Sequence, residues 1–160
     1  MLEQKILMEL STYIFDHMIE EEVVLYSEFT VSESVRNISL EEFIRDHKKP
    51  SFRETLFKFI DRTGESDASI YKKAWIDRKH FSKIRSNSGY RPKKNTVMAL
   101  AFALELNVMD ATELLNAAGY SLSESEKFDL VMKFCLERKI YRIENVNEAL
   151  MYIGLKPLME

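Results

Sequence analysis

The chain has 160 residues, of which 46% are hydrophobic, with only four Gly and three Pro. That supplies enough apolar material for one compact core but too few turn formers for a many-stranded sandwich, so a mainly α fold is expected. The formal charge of −3 is unevenly spread: residues 1–50 carry five basic against eleven acidic side chains, residues 51–95 twelve against five, and residues 96–160 six against ten.

Leu2, Ile6, Leu7, Leu10, Ile14 and Met18 recur at three- and four-residue steps, which predicts an amphipathic helix of about four turns. After Glu20-Glu21-Glu22, the run Val23 to Tyr26 with Phe29 and Val31 suits a short strand or a continued helix, and periodicity leaves both open. Ser39 and Glu42 have the spacing of a capping box, opening a short helix through about Asp46. Lys48-Lys49-Pro50 then breaks the chain, because proline disfavours helix in the residue before it. This break separates an acidic N-terminal helical accessory region, residues 1–49, from a central domain, residues 50–120.

Ser51 and Glu54 form a second capping-box pair, ahead of a helix with Phe52, Leu56, Phe59 and Ile60 inward and Gly64 at its end. Ser66 and Asp67 cap the next helix, which carries Ile70, Tyr71 and Ala74 and ends near Trp75-Ile76. Asp77 caps a third, with Phe81 and Ile84 inward, running to about Arg85 before the loop Ser86 to Pro92. Asn95 is expected to cap a fourth helix, Thr96 to Leu106, with Val97, Leu100, Ala101 and Leu104 buried. A fifth runs from Ala111 to Ala118 and stops at Gly119. Residues 121–160 read as a C-terminal helical extension packed on the domain. One of its helices carries Phe128, Leu130, Val131, Phe134 and Cys135 to about Lys139; another carries Val146, Leu150, Met151 and Ile153 before Gly154.

The segment Ile70 to Asn87 resembles the helix-turn-helix of the Xre-like, lambda-repressor-like family. Ile70, Ile76, Asp77, Phe81 and Ile84 occupy that family's apolar opening, turn, polar cap and apolar pair of the recognition helix. Tyr90-Arg91-Pro92 with the run from Thr96 to Val108 resembles the family's fourth helix, and the stretch from Thr112 to Gly119 resembles its continuation. Trp75 stands where the family usually has glycine and Tyr71 where it usually has a small residue. The resemblance covers residues 51–119. It implies a five-helix lambda-repressor-like DNA-binding domain, flanked here by N-terminal and C-terminal helical extensions. It further implies a sequence-specific transcriptional regulator of bacterial or phage type, commonly acting as a dimer on paired half-sites.

The charge pattern points the same way. Between Lys72 and Lys94 lie nine basic residues and one acid, Asp77, a local excess that attracts phosphate whatever the net charge. A recognition helix at about Asp77–Arg85 would present Arg78, Lys79, His80, Ser82 and Lys83 to base edges in the major groove of double-stranded DNA. Lys72, Lys73, Arg85, Arg91, Lys93 and Lys94 are the candidates for phosphate. Phe81 reads as a packing residue, and Trp75 as core or a capping plug ahead of a base-stacking platform.

Other chemistries lack their residues. There is no Gly-x-Gly-x-x-Gly, no Walker loop and no His-Glu-x-x-His, so no catalytic site, cofactor or metal is expected, and His17 and His47 stand apart from other ligands. The lone Cys135 sits in an apolar run and reads as a buried structural thiol. No stretch approaches the roughly 20 apolar residues of a membrane helix, and the start Met1-Leu2-Glu3 has no basic head, which predicts a cytoplasmic protein away from membranes. The rival reading is a helical interaction module that keeps the fold without reading DNA and meets a protein partner through the acidic N-terminal region. The first 31 positions, or Leu150 to Leu158, could equally form a homodimer surface. For RNA or single strands, Tyr90 and Trp75 beside cations are the only hint.

Overall fold

Short polar side chains decide where most of the helices begin. A computed structural model of the chain describes residues 2–19 and 39–160, and its elements are α1 (Gln4–Ile19), α2 (Leu40–His47), α3 (Phe52–Thr63), α4 (Asp67–Lys73), α5 (Arg78–Ser86), α6 (Lys94–Ala103), α7 (Val108–Ala117), α8 (Lys127–Glu137) and α9 (Ile143–Tyr152). Among the described residues there is no strand. Ser39 and Ser51 each accept from the amide three residues on, at 3.2 Å, while Glu42 and Glu54 accept the cap's own amide, so both predicted capping boxes form. Ser66, Asp77 and Asn107 cap α4, α5 and α7 in the simpler way.

Five helices end alike. After α4, α6, α7, α8 and α9 the chain enters the left-handed region at Trp75, Glu105, Gly119, Lys139 and Gly154. The amide of the next, apolar residue then bonds back to a carbonyl five positions earlier, as in Ile76 to Tyr71 at 2.9 Å and Ile140 to Cys135 at 2.8 Å. This satisfies carbonyls that the helix leaves open and turns an apolar side chain into the core. Glycine adopts that conformation freely, whereas Trp75, Glu105 and Lys139 do so at a cost.

One buried apolar cluster runs from Leu10 to Leu158. α6 lies within it, buried on every side from Thr96 to Ala103, with α4 and α7 as neighbours. α1 packs on α8 and α9, so the start and the end of the described chain share one layer. Polar contacts tie the C-terminal part down. The Lys94 ammonium pairs with both oxygens of the buried Asp129 carboxylate at 2.7 and 2.8 Å, and the Ser123 amide donates to the same group at 2.7 Å. Asn147 accepts from the Leu158 amide and donates to the Met159 carbonyl, both at 2.8 Å.

Some boundaries differ from expectation. Asn95 does not cap α6; Lys93 holds the cap position, and the Asn95 side chain donates to the Leu158 carbonyl at 3.3 Å. α6 therefore starts earlier and ends at Ala103, where the Glu105 turn intervenes, and α7 starts at Val108 because Asn107 caps it. Trp75 is no core residue, being 40% exposed. The run Glu20 to Val31, read as strand or helix, lies outside the described residues.

Candidate nucleic-acid interface

The α4–α5 pair is built on an apolar seam. Ile70, Ala74, Ile76, Phe81 and Ile84 are buried, and the Phe81 ring meets Tyr71 with centroids 5.5 Å apart and Phe57 at 6.2 Å. Tyr71 thus fills space against α5 instead of turning outward, and the bulky residue becomes part of the joint. With positions 81 and 84 inward, helical geometry sends 79, 82, 83 and 86 to the opposite face and 78 to its side, and all five are exposed.

On that face the cations are unequally engaged. Among the described residues no carboxylate lies within ion-pair distance of Arg78, Lys79 or Lys83. Lys83 holds its ammonium 4.6 Å above the Tyr90 ring, and His80 meets the Tyr90 hydroxyl at 3.1 Å, with its own amide donating to Asp77. His80 is half-buried as a result, a link between α5 and the loop after it. Ser82 is exposed beside Lys83. Tyr90, which residue-type reasoning passed over as an α5 partner, therefore orients two of the five base-contact candidates. Its only sequence signal is an aromatic residue between Gly89 and Arg91 within a basic stretch.

The six phosphate candidates divide. Lys72 and Lys93 are exposed, and among the described residues neither has a carboxylate partner. Arg91 stacks its guanidinium 4.4 Å from the Tyr120 ring centroid and donates to the Gly119 carbonyl at 3.2 Å, which fixes its direction yet leaves it exposed. Lys73 is held by both oxygens of Glu65 at 2.8 Å, a contact that, with the Ser69 hydroxyl, keeps the Glu65 carboxyl below its ordinary pKa. Arg85 pairs with Asp67 and lies over Phe57. Lys94 is turned to Asp129 and is the least accessible of the six candidates. The unpaired charge is accordingly carried by Arg78, Lys79 and Lys83 of α5, with Lys72 in α4, and Arg91 and Lys93 ahead of α6.

Other chemistry is scarce. Among the described residues no cluster of His, Cys, Asp and Glu could hold a metal ion, and no helix is long and apolar enough to cross a membrane. Burial pushes the Cys135 thiol up to about 12. Set against protein-family models, curated proteins and solved structures, the chain matches none.

Proposed function

We propose that this chain binds double-stranded DNA in a sequence-specific manner as a transcriptional regulator of bacterial or phage type, with α5 entering the major groove. The observation that carries the reading is the exposed face of α5, where Arg78, Lys79, Ser82 and Lys83 stand clear of every described carboxylate. Some basic residues of the stretch are quenched by acids, as Lys73, Arg85 and Lys94 are, whereas Arg78, Lys79 and Lys83 are left free on the helix that the family resemblance makes the reader of bases. Arg78 and Lys79 lie in the first turn of α5, where long cationic side chains reach guanine acceptors. Lys72, Arg91 and Lys93, which have no described carboxylate partner, are left for phosphate.

The test is duplex binding by Arg78→Ala and Lys79→Glu beside the intact chain. Each Arg78 or Lys79 base contact removed should cost about 1–3 kcal/mol and relax discrimination at one base position. Lys94→Gln should leave affinity per folded molecule unchanged, since that ammonium is already paired. Equal binding by the intact chain and both α5 variants would contradict the proposal.

A second reading is favoured by α2. Its apolar residues Leu40, Phe43 and Ile44 are exposed, and no residue of the helix is buried. A helical interaction module would use such a face and leave α5 idle, and it would show no measurable affinity for duplex DNA even at low salt.

A further inference from the structure

The turn that precedes α5 also forms one wall of a cleft, which shares Lys72 with the residues assigned above to phosphate. The cleft has a volume of about 460 Å³ and lies between the ends of α4 and α6 and the start of α9. Trp75 and Tyr141 line it, with Phe102 beneath, and Lys72, Arg142 and Glu105 at its edges. The volume falls within the range of small-molecule sites.

Trp75 closes α4 in the same left-handed turn that Glu105 and Lys139 make, but it is the only one of the three to place a large aromatic side chain in a cleft. Its φ of 57° is one that glycine takes without strain and a tryptophan does not. A large aromatic side chain could offset such strain by burial, yet 40% of this residue faces solvent. Backbone strain that packing does not recover tends to collect at functional positions. The charges narrow the ligand. Lys73 is committed to Glu65, but Lys72 is exposed with no described carboxylate partner, and Arg142 meets Glu144 only at 3.6 Å. Glu105 and Glu144 also line the cleft and offset Lys72 and Arg142, so a polyanion is not attracted, and what fits is a flat apolar body with one carboxylate set directly against Lys72 and competing with Glu144 for Arg142.

We infer that this cleft binds a small planar aromatic carboxylate, stacked on the Trp75 indole with its carboxylate held by Lys72 and Arg142. The inference does not depend on DNA binding. The chain has one tryptophan, so its indole N–H gives a single, assignable resonance. Titrating the full chain with 2-naphthoate should shift that resonance saturably, with a dissociation constant of about 1 mM or tighter. The neutral isostere 2-naphthalenemethanol should bind at least about tenfold more weakly, as should the double variant Lys72→Gln, Arg142→Gln, because a charge-assisted hydrogen bond is lost. Trp75→Gly relieves the left-handed strain and so retains the fold, and by calorimetry it should lose at least about tenfold in affinity for 2-naphthoate. Absence of a saturable shift, equal binding of the neutral isostere, or undiminished binding by either variant would overturn the inference.

Discussion

At Lys139 a charged side chain occupies a φ of 55°, and nothing in its surroundings repays the strain, since the residue is exposed. Replacing it with glycine should raise stability by about 0.5–1 kcal/mol, read as a higher urea midpoint with unchanged slope; an unchanged or lower midpoint would contradict the strain argument. Cys135 offers a prediction of opposite character. Burial disfavours its thiolate, so the thiol stays protonated at pH 8, and an aromatic disulfide reagent should leave it untouched until the chain unfolds. Because the folded state holds that proton more tightly, the stability it confers is complete below about pH 8.5 and declines as pH climbs toward the folded value. The buried thiol was readable from its apolar neighbours. The left-handed turns were not, because Trp, Glu and Lys are residue types that rarely announce such a conformation, whereas Gly119 and Gly154 announce it directly.

Among the elements, α5 depends on Phe81, which joins it to Tyr71 and Phe57. Phe81→Ala should cost about 3–5 kcal/mol by leaving a cavity, measured by denaturant unfolding, and a cost below about 1 kcal/mol would mean that the joint is loosely packed. Both capping boxes were legible because cap and partner stand three residues apart. Asn95 misled for the opposite reason: its side chain is drawn to the Leu158 carbonyl, 63 positions away, by a contact that local spacing does not encode. The same limit hid the quenching of Lys94 by Asp129 and of Arg85 by Asp67, so six phosphate candidates that look equivalent in sequence are unequal in space.

On the scale of the whole molecule, the segments flanking the basic stretch form part of the same core. α1 rests on α8 and α9, and the buried Asp129 carboxylate receives Lys94 from α6 and the Ser123 amide. Asp129→Ala should therefore destabilise the entire chain by about 3 kcal/mol, toward the low end for a buried pair because Lys94 keeps some solvent access. A single cooperative unfolding transition with a lowered midpoint is expected, and an unchanged midpoint would show the pair to be dispensable. The helical character and the charge asymmetry could be read from composition and periodicity; the packing of α1 on the far end of the chain could not, since an apolar stripe does not name its partner. Above all, the unpaired cations around α5 are expected to meet phosphate. Affinity of the full chain for duplex DNA, measured across a series of salt concentrations, tests this most directly. Three to four phosphates neutralised, by Lys72, Arg91 and Lys93 with Lys83, predict a plot of log affinity against log salt falling with a slope of about −3 to −4. A slope near zero, or no binding at about 50 mM salt, would contradict it.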